Sequence, residues 1–320
     1  MIKTAGLIAT LVTICMPAVA QPVQLHVHVS DQKNGTDIAA ASAFANAAVQ
    51  AGDGDLIVQF TSGIEVCAND SACLQALEYG LIDLTVTDVA VRRSAMPMLD
   101  LFDIPYVFGD QRALAQAIVD APDPSAPVRL LAVTPGDTLR VIANTRRRIS
   151  APADISDLRF FANGRQAVRA IKGAGGAVVP MPKSAMPAAL QTGEIDGAVL
   201  DMSELMQARL PMVGLQYATR DPNSIHARLW WMRSETYDAL TERQRAAVDL
   251  GILALGDAAQ SAATGIRAQA VSDFQKAGGD YYLLDGDELA AFQQAVAPIL
   301  QQLRSDVDTV DGIMSLLSAN

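Results

Sequence analysis

The sequence predicts an α/β chain that folds into two similar lobes with a cleft between them. A repeated pattern supports this prediction, because residues 76–86 and 189–199 both follow Ala-Leu-x-x-Gly-x-Ile-Asp-x-x-Val, 113 residues apart. Each copy has the end of an apolar helix, a glycine suited to the left-handed position that ends a helix, and a β-branched run typical of a strand. One unit used twice at this distance indicates two lobes of similar construction, rather than coincidence in a chain rich in alanine and glycine.

Helical and strand patterns alternate along the whole chain, which is typical of the α/β class. Alternating or compact apolar runs predict strands at residues 24–29, 55–60, 82–86, 128–133, 139–144, 158–162, 178–179 and 229–232. Helical spacing predicts helices at residues 36–51, 111–120, 165–172 and 287–303, in addition to the two helices of the repeat.

A much longer helical pattern begins at Thr241 and continues to about Ala277. Threonine followed by Gln244 three residues later forms a favourable helix start. A helix of this length can contact both lobes and brace them. Bends are expected where glycines interrupt the pattern, at Gly251, Gly256 and Gly265.

The composition limits the partners of the chain. Half of the 320 residues are apolar, which is enough to bury a large core, and the formal net charge is −11. This charge argues against a nucleic-acid partner, because such proteins present a basic surface. A small anionic ligand remains compatible, since a local group of arginines can bind it within an acidic protein.

The first 20 residues are typical of a secretory signal peptide. Lys3 provides the positive charge, an apolar stretch follows, and Ala18-Val19-Ala20 predicts cleavage before Gln21. The apolar stretch is short for a transmembrane helix, and the bulky residue before Cys15 disfavours lipid attachment. We therefore expect soluble export of a chain with 23 basic and 35 acidic residues, for a net charge of −12.

Two cysteines, Cys67 and Cys73, remain in the mature chain. An even number in an exported protein predicts a disulfide, with two unrelated thiols as the alternative. A zinc site is disfavoured because no nearby histidine completes the ligand set. His26 and His28 share one face of the first strand, which we expect to be solvated rather than metal-binding.

No motif of a known catalytic class stands out. The sequence has no P-loop, no G-x-S-x-G, no H-E-x-x-H and no G-x-G-x-x-G after a strand. His226 is the single histidine outside the first strand, and the scattered carboxylates are typical of a solvated surface. These observations disfavour an enzyme.

Four segments, in a characteristic order and spacing, form a recognisable pattern. They are the strand, cysteine loop and Gly-x-Ile-Asp helix end of residues 60–83, Pro-Tyr-Val-Phe at 105–108, Pro-Ala-Asp-Ile-Ser-Asp-Leu-Arg at 152–159, and residues 180–197. The last segment is the most specific, with Pro-Met, then Ser184, then Ala-Leu-Gln-Thr-Gly and Asp-Gly. Over nearly its whole mature length the chain resembles the DctP-type solute-binding proteins of tripartite ATP-independent periplasmic (TRAP) transporters.

This resemblance implies a two-lobed periplasmic binding protein fold, with the ligand cleft between the lobes and a long bracing helix. It implies that the protein captures a small organic solute, often an organic acid, by lobe closure and delivers it to the TRAP membrane permease subunits. The implied lobes are discontinuous: residues 21–137 plus 226–265 form lobe I, and residues 138–225 plus 266–320 form lobe II. We expect a periplasmic monomer with no cofactor, no metal and no enzymatic turnover.

Two other functions stay open beside transport. The same fold is compatible with a sensor that presents its ligand to a membrane receptor, and genes for transport subunits alongside would favour import. A periplasmic enzyme is the third alternative, and it would convert its ligand rather than release it unchanged.

The resemblance also implies ligand-binding positions, with one important departure. The carboxylate-binding arginine of the family falls at Phe161, so this residue is missing, and two polar contact positions fall at Leu200 and Asn223. Two interpretations remain open. The ligand is an acid bound by Arg140, which matches another arginine of the family, and by Arg165. Alternatively, it is a less charged and more apolar molecule stacked on Phe161.

The remaining ligand-binding candidates are polar side chains of loops and strand ends: Glu65, Thr87, Asp88, Asn163 and Asp201. For the first four, a role in a turn or a helix cap is an equally good explanation.

Overall fold

A computed structural model of the chain describes residues 22–30, 35–108, 111–121, 127–222 and 226–318. The predicted signal peptide, its cleavage site and Asn223 lie outside these described residues. Within the described residues, no helix is both long enough and apolar enough to cross a membrane.

The described strands are β1 Val23–Val29, β2 Leu56–Ser62, β3 Leu84–Asp88, β4 Val128–Pro135, β5 Arg140–Asn144, β6 Arg159–Ala162, β7 Ala177–Val178, β8 Gly197–Asp201, β9 Tyr217–Arg220, β10 Ala227–Arg233 and β11 Asp280–Leu283. The α-helices are α1 Gly35–Gly52, α2 Asp70–Glu78, α3 Val89–Arg92, α4 Gln111–Val119, α5 Arg165–Gly173, α6 Met186–Thr192, α7 Met202–Gln207, α8 Ser234–Ala239, α9 Glu242–Lys276, α10 Gly286–Asp306 and α11 Thr309–Ser318. Short 3-10 helices occupy Pro97–Asp103, Pro152–Ile155, Lys183–Ala185 and Leu210–Val213. Helices and strands alternate, which confirms the predicted α/β class.

The strands form two separate sheets, one for each lobe. The first has the order β2-β1-β3-β10-β4, with β10 antiparallel to both of its neighbours. The second has the order β11-β9-β5-β8-β6-β7, with β5 antiparallel to both of its neighbours. Parallel pairs join β1 to β2 and β3, and β8 to β6, as expected for strands linked through helices.

The sequence repeat places one copy of the same unit in each sheet. Helix α2 leads through Gly80 into β3 of the first sheet, and α6 leads through Gly193 into β8 of the second. Both glycines have left-handed backbone angles, with φ of 73° and 74° respectively, which residues with a Cβ rarely adopt.

The aspartates of the repeat explain why both copies carry Ile-Asp. The Asp83 carboxylate accepts a hydrogen bond from the backbone N–H of His26 on β1, at 2.9 Å. The Asp196 carboxylate accepts one from the backbone N–H of Arg159 on β6, at 3.0 Å. Each aspartate therefore fixes the neighbouring parallel strand at the point where the repeat enters its sheet.

The chain passes between the sheets twice within short segments. Residues 136–139 connect β4 to β5, and residues 221–226 connect β9 to β10. Helix α9 contacts α1 and β4 beside the first sheet and α7 and β11 beside the second, so it is the predicted brace. Its start is the predicted one: Thr241 Oγ1 accepts from Gln244 N at 3.3 Å, and Gln244 Oε1 accepts from Thr241 N at 2.9 Å.

The C-terminal helices contact both lobes. Helix α10 packs against α5 of the second lobe, and α11 packs against α4, which covers β4 of the first. The lobe boundaries given in the sequence analysis remain a prediction.

The core is buried on both faces of each sheet. Trp230 and Trp231 are neighbours on β10 and are both fully buried, on opposite faces. Trp230 Nε1 donates to Thr134 Oγ1, and Trp231 Nε1 donates to Thr87 Oγ1, each at 2.9 Å. The two indoles fill the core on either side of the first sheet, and each N–H has a partner.

The predicted disulfide between Cys67 and Cys73 is present, with the two Cα atoms 5.0 Å apart. His28 lies beside it and is 1% exposed, so the expectation of a solvated histidine face is wrong for this residue. The reason is that the cysteine loop covers this end of β1: His28 Nε2 donates to Gly63 O at 3.0 Å, and Nδ1 accepts from Thr61 Oγ1 at 2.8 Å. Burial lowers the pKa of His28.

Candidate functional site

A polar cavity of about 190 Å³ lies between the lobes. The first lobe contributes the end of β3 and helix α3, and the second contributes the start of β5, the loop after β6 and the first turn of α5. Its charged or hydrogen-bonding side chains are Asp88, Arg93, Asp103, Arg140, Asn163, Gln166 and His226. The position matches the general rule that ligands of open α/β sheets bind beyond the carboxyl ends of parallel strands.

Asp88 and His226 form a hydrogen-bonded pair on the first-lobe side. His226 Nε2 lies 2.6 Å from Asp88 Oδ2, and the other carboxylate oxygen accepts from Ala90 N at 2.8 Å, which caps α3. Burial by itself would raise the pKa of Asp88, but the hydrogen bonds from His226 and Ala90 outweigh it, so the pKa lies well below its ordinary value. Asp88 is therefore ionised at neutral pH and fixed in orientation.

A buried ionic network holds the backbone of Asp88 in place. Arg228 on β10 lies between two carboxylates, with Nη2 3.0 Å from Asp37 Oδ2 and Nη1 3.1 Å from Asp70 Oδ2. Asp70 Oδ2 also accepts from the backbone N–H of Asp88, at 2.6 Å. The network therefore ties α1, α2 and β10 to the end of β3, at the edge of the cleft.

The second lobe presents Arg140 to the cavity. This residue starts β5, its side chain is 42% exposed, and its Nη1 lies 3.9 Å from Asp103 Oδ1. Asp103 also pairs with Arg93, whose Nε lies 2.8 Å from Asp100 Oδ1. The Arg140 guanidinium is thus held only loosely, at the outer limit of an ion pair, while Asp103 is held firmly by Arg93.

Gln166 closes the floor of the cavity. Its Nε2 donates to Asp100 Oδ2 at 3.2 Å, and both side chains are buried. This hydrogen bond joins α5 to the 3-10 helix Pro97–Asp103 across the two lobes. The first turn of α5 also faces the cavity, and the N–H groups of a helix N-terminus carry partial positive charge.

Behind Arg140 the polar cavity continues into an apolar chamber of about 50 Å³. Arg140, Asp103 and His226 line both spaces, and the apolar walls include Phe102, Ile142, Val199 and Phe292. The arrangement combines a cationic side chain with a small apolar space directly beside it.

Tyr106 and Asp221 lie at the edge of this chamber. The backbone N–H of Tyr106 donates to Asp221, and the tyrosine ring stacks on Phe292 with centroids 4.8 Å apart. Burial, followed by the Asp221 charge, raises the pKa of Tyr106 far above its ordinary value, so the hydroxyl stays protonated. Because Asp221 lies in the second crossing segment, this contact joins the chamber wall to the connection between the lobes.

Three of the predicted ligand-binding residues, Asp88, Arg140 and Asn163, meet in the polar cavity. Asp201 is the register partner of Arg140 on the neighbouring strand β8. Burial raises the pKa of Asp201, with the Arg140 charge acting in the opposite direction, and its Oδ1 has no hydrogen-bond partner among the described residues.

The structure places the other candidates elsewhere. Phe161 and Leu200 are 6% and 5% exposed and pack in the core between the second sheet and α6 and α7. Thr87 is buried and bonded to Trp231, while Glu65 lies exposed in the cysteine loop and Arg165 is exposed at the start of α5.

Sequence reasoning did not select Arg93, Asp103, Gln166 or His226 as cavity residues. The sequence offered one indication for His226: it is the single histidine outside β1, and it directly precedes the apolar strand β10. Arg228 had a stronger signal, because an arginine inside an otherwise apolar strand requires a buried partner.

One group of side chains within the described residues has the proximity of metal ligands: His28, Cys67 and Cys73, with ligand atoms within 4.8 Å of one another. Both sulfurs are bonded to each other and both imidazole nitrogens have hydrogen-bond partners. In this oxidised state the group has no thiolate to offer a metal.

Comparison with known proteins adds the evolutionary context. The family of bacterial extracellular solute-binding proteins, family 7 (DctP), matches residues 26–306. A solute-binding protein of Verminephrobacter eiseniae is 25% identical over 245 residues, covering 72% of this chain and 70% of the relative.

Two solved structures illustrate the similarity of fold. A TRAP periplasmic solute-binding protein of Rhodobacter sphaeroides, in an apo open form, superposes with a TM-score of 0.81 at 16% identity, covering 92% of this chain and 99% of that one. The sugar acid binding protein DctPAm of Advenella mimigardefordensis, in complex with galactonate, gives a TM-score of 0.65 at 19% identity, covering 93% and 99%.

Proposed function

The chain belongs to family 7 of the bacterial extracellular solute-binding proteins, and from this premise we propose that it captures a small organic acid between its lobes for a TRAP-type importer. The observation that carries the proposal is Arg140, a loosely held cation that lines both the polar cavity and the apolar chamber. A carboxylate fits the planar guanidinium through two hydrogen bonds.

The acid is proposed to bind with its carboxylate on Arg140 and near the first turn of α5, whose helix dipole favours a negative charge. Asn163, Gln166 and the Asp88–His226 pair provide hydrogen-bonding groups for its polar substituents. A short apolar part occupies the chamber beside Phe102 and Phe292. DctPAm, a related protein, binds galactonate, which is also an organic acid with polar substituents.

Phe161 takes no direct part in this proposal. Its ring is 6% exposed and offers no face on which a ligand can stack. Its place in the core explains why an apolar residue is tolerated at this position, and the positive charge is supplied from β5 instead.

Closure of the lobes completes the site in this proposal. Residues on both sides of the cavity converge on the ligand, water is excluded, and charged hydrogen bonds strengthen as the local dielectric constant falls. The closed form then presents one surface to the membrane subunits, and the ligand is released chemically unchanged. We propose that this happens in the periplasm, after cleavage behind Ala20, with the protein acting as a monomer.

The test is a thermal-shift screen of small organic acids, followed by calorimetry on the acid that stabilises the protein most. Arg140→Gln is expected to weaken binding by about 10- to 150-fold, because hydrogen bonds to a charged group contribute about 1.5–3 kcal/mol. Arg129→Gln is the matched control, since the Arg129 side chain is 41% exposed and lies on β4, away from the cavity.

Wild-type affinity in Arg140→Gln would reject the proposed anchor. Mass spectrometry of the acid recovered after incubation tests whether it is unchanged, and a converted product would show that the protein is an enzyme. Light scattering measures the mass of the assembly in solution.

A further inference from the structure

A second cavity, of about 480 Å³, lies apart from the ligand cleft. It is a groove between the C-terminal half of α9 and strands β9 and β11, with Leu139 of the first crossing segment at one end. None of its lining residues lines the polar cavity or the apolar chamber.

Two arginines enter this groove from different elements. Arg220 ends β9, directly before the second crossing segment, and Arg267 lies on α9. Arg267 Nη2 donates to the carbonyl oxygen of Gly136 at 2.6 Å, in the first crossing segment. The Nε atoms of both arginines are buried and have no hydrogen-bond partner among the described residues.

Among the described residues that line the groove, none carries a carboxylate. The other polar side chains of the groove are neutral, and those on α9 include Gln260, Thr264 and Gln275. Neither Arg220 nor Arg267 forms an ion pair within 4.0 Å in the described part of the chain. The negative charge of the more distant Asp137 raises the pKa of Arg267, but by less than the opposing effects lower it.

Two guanidinium groups in one groove repel each other unless an anion lies between them. Burial, followed by the Arg220 charge, lowers the pKa of Arg267, which is the direction expected for an uncompensated pair. This half-buried pair is unusual in a chain of net charge −11, in which the buried Arg228 has two carboxylate partners. The planar fork of arginine is well suited to tetrahedral oxyanions.

We propose that this groove binds a small oxyanion of the phosphate class between Arg220 and Arg267, with polar side chains of α9 completing the site. The anion would lie beside both segments through which the chain crosses between the lobes, and outside the ligand cleft.

Isothermal titration calorimetry with inorganic phosphate tests the proposal, at constant ionic strength set with sodium chloride. Arg220→Gln is expected to lower phosphate affinity by at least about tenfold, because it removes one of the two guanidinium groups that would bind the anion. Lys276→Gln removes one positive charge from the same end of α9, outside the groove, and is expected to bind phosphate as the wild type does. Arg140→Gln is expected to leave phosphate binding unchanged, which separates this site from the proposed ligand cleft.

Thermal unfolding provides the second measurement. Phosphate is expected to raise the melting temperature of the wild type and of Lys276→Gln more than that of Arg220→Gln, while all three unfold cooperatively. Equal phosphate affinity in wild type and Arg220→Gln would overturn the proposal, as would the absence of binding at millimolar phosphate. Phosphate binding that is lost in Arg140→Gln would also overturn it, since the anion would then occupy the cleft.

Discussion

Replacing Arg228 by methionine is expected to destabilise the protein far more than any other single loss of an arginine charge described above. Its side chain is 3% exposed, and the carboxylates of Asp37 and Asp70 are 4% and 9% exposed. Methionine fills much of the same volume but removes the cation that pairs with both buried carboxylates. The substitution therefore tests the electrostatic role of the arginine rather than its size.

The expected loss is about 3–5 kcal/mol in the free energy of unfolding, the usual cost of breaking a buried ion pair by removing one partner. Arg129→Met on the adjacent strand β4 is the control. Its side chain is 41% exposed and lies 3.4 Å from Asp238, which is 66% exposed, so its loss is expected to cost no more than about 1 kcal/mol. Adding Asp37→Asn to Arg228→Met should recover part of the loss, because Asp37 would otherwise be a buried charge that has lost its arginine.

Urea unfolding followed by circular dichroism measures these differences, with the slope of the transition checked for constancy among the variants. A loss below about 1 kcal/mol in Arg228→Met, equal to that of the control, would refute the reasoning. It would mean that water reaches the two carboxylates when the arginine is removed. Weaker ligand binding is also expected in Arg228→Met, since Asp70 positions the backbone N–H of Asp88.

Three further predictions concern α9, the disulfide and the Asp88–His226 pair of the cleft. Gly251→Ala is expected to destabilise the protein by about 1–2 kcal/mol, because its Cβ would lie 2.8 Å from the buried Phe44 ring of α1. Gly256→Ala in the same helix is expected to stabilise it by about 0.5–1 kcal/mol, because its Cβ would have no atom of the described residues within 4 Å. Urea unfolding that gives the same sign for both variants would contradict this. The double variant Cys67→Ser/Cys73→Ser is expected to lose about 2 kcal/mol through the entropy of its unfolded chain, and unfolding curves equal to the wild type would contradict it. The pKa of Asp88 is lowered on folding, so its contribution to stability is present above about pH 4 and is lost as the pH falls further. Between about pH 5 and pH 2 the wild type should therefore lose more stability than Asp88→Asn, and parallel curves for the two proteins would contradict this assignment.

The architecture could be predicted from the sequence because its signals are local. The two Ala-Leu-x-x-Gly-x-Ile-Asp-x-x-Val units contain a helix end, a left-handed glycine and a strand start within eleven residues, and both occur as predicted. The start of α9 is equally local, since Thr241 and Gln244 satisfy each other's backbone groups. Strands β9 and β11 were not predicted, because each is four residues long and is specified by its neighbours in the sheet.

The cleft was predictable only in part, because its residues come from distant parts of the chain. Asp88 ends β3, Arg140 begins β5 and Asn163 follows β6, and strand ends are where α/β proteins place ligand-binding groups. His226 joins Asp88 across 138 positions, and Arg228 joins Asp37 across 191. No local pattern in the sequence encodes such pairs. The orientation of Asp88 and the long 3.9 Å ion pair of Arg140 could therefore be seen only in the structure.

Small-angle X-ray scattering of the protein with and without the acid selected by the thermal-shift screen tests the central claim most directly. Closure of two lobes on the acid predicts a smaller radius of gyration at saturating acid, and a smaller decrease for Arg140→Gln at the same concentration. Superimposable scattering curves for the wild type, with calorimetry showing that the acid is bound, would contradict the account.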